Sequence, residues 1–420
     1  MHNCLSSHTH TQVGDYMPDD KQLVIPRRWK YEEHEECKES LGADAGSLSY
    51  FCTVLREAPE LAHIVYARFL LNFQGCKTCI PLHDNVMVAL KSGDKVALAA
   101  AKAKRTVHFR EQRAERLSLY TRVAWGRDPT QSTLSMIIDK WDSNKTSVPF
   151  FARSMTWWQT TKHHILEQHV VGVLIHGVPN SAFLYTVNNS IGGGANLNVE
   201  ALRRTMVHKY GGSTPLPRRI CVNADNASDN KCWTVLLFLG MLVYHRYTNE
   251  CFLSFLLVGH THEDIDQLFS VLSRYLKRLG KVMGPNEFQD ELHNAMHAAK
   301  RPAIIERIEC LLDWDTHLFP HLVKPAPTGI QHATLGTKED GDVEVAVPHL
   351  FWIHRRSDGV VVLHYKELAA HPVFLPKVRG SDPPVTDPEG IVLFGSPPPD
   401  PMVSPPTECE LRSVETEEGK

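Results

Sequence analysis

The stretch Arg219-Ile220-Cys221-Val222-Asn223-Ala224-Asp225-Asn226, followed through Lys231 to Tyr244, Phe252 to Val258 and Gly259-His260-Thr261-His262-Glu263-Asp264-Ile265-Asp266, decides how the chain is read. Its first apolar run is the length of a buried strand and stops at an acid. A short polar turn leads into a largely apolar helix from about Lys231 to Tyr244. A second buried strand, Phe252 to Val258, ends in a polar cluster that opens another amphipathic helix. Polar groups at the carboxyl ends of strands in an α/β sheet are where chemistry is usually sited. The stretch is therefore the candidate active site.

Working upstream, Leu134-Ser135-Met136-Ile137-Ile138-Asp139 reads as a buried strand ending in an acid. Strands are expected around Gln168 to His176 and Ser181 to Val187, then a glycine break at Gly192-Gly193-Gly194 and a helix over Asn198 to Tyr210 that stops at Gly211. The order is thus three strands with short links, then helix, strand, helix, strand, helix. Short links imply an antiparallel meander, and strands separated by helices imply parallel crossovers. This is the element order of the ribonuclease H-like α/β fold.

The expected divisions are a flexible segment over 1–45, a helical region over 46–129, the ribonuclease H-like domain over 130–285, a helix with a small β segment over 286–377, and a disordered, proline-rich acidic tail over 378–420. In the helical region, helix is expected from Leu48 to Phe73 and again, long or broken, from Val86 to about Thr121. Glu287 to Ala299 reads as helix. Val343 to Tyr365 alternates as short strands about Ser357-Asp358-Gly359, a hairpin turn.

The apolar share of 42% and charged share of 22% are ordinary for a soluble protein. No apolar run approaches the roughly 20 residues that span a bilayer, and the first residues lack a signal-peptide pattern, so the reading is soluble and intracellular with no membrane partner. Ten scattered cysteines form no disulfide framework and fit a reducing compartment. The net charge is -3, of which residues 379–420, with nine acids and three bases, contribute -6; the remainder is about +3, which permits nucleic acid as a partner. A homo-oligomer is equally permitted.

Three acidic positions fall at strand ends or just beyond: Asp139, Asp225, and the cluster Glu263, Asp264 and Asp266. Converging carboxylates suit Mg²⁺ or Mn²⁺, and a pair of such ions activates water and stabilises the leaving oxygen in phosphodiester displacement. Asp264, three residues after Thr261, has capping-box spacing. Asp266 sits beside the apolar stripe of Ile265, Leu268, Phe269 and Leu272 and is favoured as the third ligand, with Glu263 second. Lys231 follows Asp225 closely enough to meet a phosphate. On the Val86–Thr121 helix, Lys104 and Arg105 are among the basic residues that could follow a phosphate backbone, although Glu111 and Glu115 interrupt the run. Cys76-Lys77-Thr78-Cys79 with His83 has the spacing of half a structural zinc site, but no second pair completes it, and buried thiols are the simpler account.

Ile137-Ile138-Asp139, Asp225-Asn226 with Asn230-Lys231, and above all the block Gly259 to Ser270 resemble a eukaryotic domain family of unknown function with a transposase-derived, ribonuclease H-like core. The resemblance implies a DDE-type catalytic site, metal binding at Asp139, Asp225 and one of the last acids, DNA as partner and a nuclear rather than cytoplasmic location. It equally admits a domesticated descendant that binds DNA or protein without catalysis. A third reading takes His260 and His262 as ligands: Gly259-His260-Thr261-His262 is similar to the last metal motif of calcineurin-like phosphoesterases, and His260-x-His262-x-Asp264 resembles metallo-β-lactamase hydrolases. The companion motifs of both are missing.

Overall fold

A computed structural model describes residues 23–26, 34, 47–57, 64–67, 78–152, 165–177, 181–211, 216–255, 264–324, 348–369, 371–378, 380–401 and 405–409. The chain divides into two units, 1–113 and 114–420. In the first, β1 (Leu23–Pro26) pairs in parallel with β2 (Ile64–Ala67). Helices α1 (Leu48–Glu57) and α2 (Cys79–Ser92) follow in sequence, and the unit boundary falls within α3 (Lys95–Arg127). The helix expected to run from Leu48 to Phe73 is therefore corrected. Pro59 biases its predecessor away from helical backbone, and Ile64-Val65-Tyr66 is a β-branched and aromatic run that pairs as a strand. Strand β1 likewise lies in the segment expected to be flexible.

The second unit is a mixed α/β structure around one nine-stranded sheet. Its strands in chain order are β3 (Thr133–Trp141), β5 (Gln168–His176), β6 (Ser181–Asn188), β7 (Arg219–Ala224), β8 (Glu250–Phe255), β10 (Ala303–Ile308), β11 (Leu350–Arg355), β12 (Val361–Lys366) and β13 (Ile391–Val392). The spatial order is β10-β6-β5-β3-β7-β8-β11-β12-β13. Strands β3, β5 and β6 form an antiparallel meander, and β7 and β8 add in parallel to β3. Beyond these, β10 joins β6 in parallel and the β11–β12 hairpin joins β8 antiparallel. The short β4 (Phe150–Phe151) and β9 (Lys281–Val282) pair separately.

Alternation along the strands sends side chains to two cores. On one face Ile138, Val171 and Val222 pack with α4 (Ala195–Tyr210), α5 (Trp233–Tyr244) and α8 (Trp314–Leu318). On the other, Ile137, Trp141 and Leu174 pack with α6 (Asp264–Leu279) and α7 (Pro285–Ala298). Helix α5 is apolar all round because α4, α8 and β11 also touch it, and every residue from Trp233 to Val243 is buried. Part of the tail expected to be disordered is instead structured: Ile391 and Val392 pair with β12, and Leu393 is fully buried close to Gly240 of α5. The proline and acid content marked that segment polar, whereas its short run Ile391 to Phe394 closes the sheet edge. Among the described residues no helix is long and apolar enough to cross a membrane.

Candidate functional site

The parallel ladder of β3 and β7 runs to Ile138 opposite Ala224, so the next residues, Asp139 two short of the end of β3 and Asp225 just past the end of β7, come side by side on two adjacent strands. In-register neighbours on parallel strands share a face and lie about 4.8 Å apart. The face is that of Ile137 and Trp141, covered by α6. Across the other edge of β3 the partner of Asp139 is Gly172, and a side chain there would come within 2.9 Å of the Phe269 ring and 3.0 Å of Ile265. Glycine at 172 thus lets α6 lie close on the sheet beside Asp139. Trp141 stacks on Phe269 with ring centroids 5.6 Å apart, fixing the helix from the β3 side. Asp266 lies one turn before Phe269, on the same side of α6.

The acids feel one another. Burial pushes Asp139 up to about 7, and the charges of Asp225 and Asp266 push in the same direction; the amide of Lys140, donating to Oδ1 at 2.7 Å, opposes them. Asp225 is also raised, first by burial, against hydrogen bonds from the Asn230 side chain and the Ala227 amide. Both land on Oδ1, from Asn230 Nδ2 at 2.5 Å and Ala227 N at 3.1 Å. Asn230 is itself held by the buried Asn198 of α4, whose Nδ2 donates to Asn230 Oδ1 at 2.8 Å and to the Asp229 carbonyl at 3.2 Å. An asparagine relay therefore runs from the opposite face of the sheet to the Asp225 carboxylate.

Asp229, Asn198 and the role of Asn230 toward Asp225 are what sequence reasoning missed. Asp229 adds negative charge near both Asp139 and Asp225. The available signal was the polar turn Asp225-Asn226-Ala227-Ser228-Asp229-Asn230, in which every side chain but Ala227 can accept a hydrogen bond or a metal.

Asp264 is engaged elsewhere. Its Oδ2 lies 3.5 Å from Nε2 of the buried His176, whose Nδ1 is 3.3 Å from Ser135 Oγ. The His176 hydrogen bond, aided by Arg127 and Arg301, holds the Asp264 carboxyl below its ordinary value despite burial. Glu263, His260 and His262 lie outside the described residues. Lys231 is 1% exposed, with Nζ 3.4 Å from Asn226 Oδ1 and 4.9 Å from the centre of the Phe255 ring. Burial lowers its pKa to about 7, so the residue expected to meet phosphate at the surface is a buried amine behind the Asp225 turn.

Asp139 and Asp225 are hard oxygen donors, the kind of group that divalent ions such as Mg²⁺ take as ligands. Coulomb forces reach further than metal–ligand bonds, and the third partner shows this. Asp266 is felt by both acids, yet among the described residues no three His, Cys, Asp or Glu side chains are drawn closely enough together to hold an ion.

In the first unit, Cys79 and His83 sit one turn apart on α2, and Cys79 Sγ lies 3.1 Å from Nε2 of His108. His108 is a further neighbour that sequence spacing did not indicate; Cys76 lies outside the described residues. Of the two basic residues singled out on α3, Lys104 is exposed, whereas Arg105 is 7% exposed and buried. Only Lys104 offers its charge to solvent.

The family model of the domain of unknown function DUF7869 matches residues 159–371, just over half of the 420 residues. The chain belongs to the DUF7869 family. No curated protein and no solved structure matches it. The DUF7869 match takes in β5 to β12, α4 to α8, Asp225, Asn230 and Asp266; β3 with Asp139 precedes it.

Proposed function

We propose that the second unit is a ribonuclease H-like core of transposase descent that cleaves or transfers DNA phosphodiester bonds with Mg²⁺ or Mn²⁺. The observation that carries this reading is the side-by-side emergence of Asp139 and Asp225 from adjacent parallel strands beneath the first turn of α6. The order β6-β5-β3-β7-β8, antiparallel then parallel, supports it, being the order in which that fold carries its acids.

In this reading Asp139 and Asp225 hold the metal, joined by Asp266 or Glu263. A bound ion would lower the pKa of the attacking water and stabilise the leaving oxygen. Asp225 is the oriented ligand, its Oδ1 fixed by Asn230 and Ala227 N. Asp139, protonated part of the time at neutral pH, must give up its proton to bind a cation. DNA as partner and a nuclear location belong to the same proposal. A structural zinc in the first unit, with Cys76, Cys79 and His83 as its ligands, is a separate part of it.

The test is nicking of supercoiled plasmid with Mn²⁺ by the intact chain, and by Asp139→Asn and Asp225→Asn variants. Metal-dependent nicking that each substitution reduces at least about 100-fold agrees with the reading. Metal binding without nicking would favour the domesticated, non-catalytic descendant.

A further inference from the structure

The zinc ligands proposed above come from sequence spacing, and the geometry of the first unit changes one of them. Helix α2 ends at Gly93, which takes the left-handed conformation with φ 71°, and α3 starts at Lys95. Cys79 stands as many residues before Gly93 as His108 stands after Asp94. The two helices fold back on each other about that turn and bring this pair together, with Cys79 Sγ 3.1 Å from His108 Nε2. Both residues lie on inner faces. Cys79 is two turns before the fully buried Val86 on α2, and His108 belongs to the buried stripe Arg105, His108, Phe109 and Gln112 on α3.

Sulfur and nitrogen ligands of one tetrahedral zinc, at about 2.3 and 2.0–2.1 Å from the ion, stand about 3.5 Å apart. The Cys79–His108 pair is a few tenths of an ångström closer than that, so a small opening would seat an ion between its sulfur and nitrogen. Cys76 has the Cys-x-x-Cys spacing that gives the same ion a second thiolate. The unit also gains from such a cross-link. Among its described residues the buried apolar side chains are Phe51, Val86, Ala89 and Phe109, and the binding energy of a structural metal adds to so small a core.

His83 is one turn from Cys79 on α2. Yet among the described residues no three His, Cys, Asp or Glu side chains are close enough to hold an ion, so Cys79, His83 and His108 are not a set. We propose that Nε2 of His108, with the thiolates of Cys79 and Cys76, holds the zinc of the first unit, in the place that spacing gave to His83. The contribution of Cys76, outside the described residues, follows from its spacing. Zinc is the ion that thiolate and imidazole together select.

The inference rests on the zinc reading, and one experiment separates the two. Zinc affinity of the full chain is measured by competition with a chromophoric chelator for the parent, His108→Gln, His83→Gln and His108→Cys. His108→Gln is expected to weaken binding by more than the about 10- to 100-fold that loss of an outer-shell partner costs, whereas His83→Gln binds as the parent does. His108→Cys returns a soft ligand to the same position, which guards against a variant that merely misfolds. It is expected to restore zinc binding and, loaded with Co²⁺ instead, to absorb more strongly in the thiolate-to-cobalt band than the parent. A parent that binds no zinc overturns the zinc reading and the inference with it. A parent that binds zinc overturns the inference alone if His108→Gln binds as tightly, if His83→Gln is weakened as much, or if His108→Cys restores nothing.

Discussion

Two groups of acids in the same unit are treated in opposite ways. On α4 and β10, the fully buried Glu200 accepts from Arg203 Nε and Nη2 at 2.9 and 2.7 Å and from Arg204 Nε at 2.7 Å. Arg204 also reaches Glu306, which accepts from His208 Nε2 at 2.7 Å. Burial pushes Glu306 up, but these partners hold its carboxyl below its ordinary value. At the β3–β7 strand ends, burial and the charges of Asp225 and Asp266 raise Asp139, against the hydrogen bond from the Lys140 amide. Where acids serve only the fold, the sequence surrounds them with guanidinium groups. At the strand ends the raised Asp139 and Asp225 are instead a cost to stability at neutral pH.

That contrast can be broken most strongly at Glu200. Glu200→Ala strands two arginines beside a buried gap and should cost about 3–5 kcal/mol in urea unfolding. Asp139→Asn should do the reverse. Its folded pKa of about 7 exceeds the ordinary 3.8, so between those values the folded state keeps a proton that the unfolded chain releases. Stability from this group is thus full below about pH 4 and is lost as pH rises through 7. The asparagine variant should be more stable than the parent at pH 8, by up to about 4 kcal/mol, and nearly equal at pH 4, measured by thermal unfolding at both.

Asn230→Ala sharpens the comparison, removing one of the two bonds that orient Asp225 Oδ1. It should lower Mn²⁺ affinity about 10- to 100-fold by calorimetry while leaving Asp139 in place. At the small end, His208→Gln opens a partly exposed pair and should cost under about 1 kcal/mol.

Much of this was legible in the sequence where periodicity was strong. The meander β3, β5 and β6, the alternation through α4, β7, α5, β8 and α6, and the hairpin about Ser357–Gly359 all fall within a few residues of the expected spans. Edge elements were harder. Ala303-Ile304-Ile305-Glu306-Arg307-Ile308 is short and charged because it caps the sheet and carries the Glu306 network, so its alternation is blurred. Strand β2 was read as helix because Ile64 to Ala67 has no polar interruption to set its period.

For the site, the placement of Asp139 and Asp225 followed from strand ends alone. Their supporting groups did not, because Asn198 and Asn230 are 32 residues apart and only the packing of α4 against α5 joins them. Burial was equally hidden. Lysine and arginine are usually exposed, and exposure is the expectation for Lys231 and Arg105, but both are buried.

Calorimetric titration of Mn²⁺ into the intact chain and into an Asp139→Asn, Asp225→Asn double variant, at pH 6 and pH 8, tests the central claim most directly. Binding by the intact chain is expected to strengthen from pH 6 to pH 8, as the Asp139 proton is lost, and the variant is expected not to bind. Equal binding by the two proteins, or none by the intact chain, would contradict a metal site at the ends of β3 and β7.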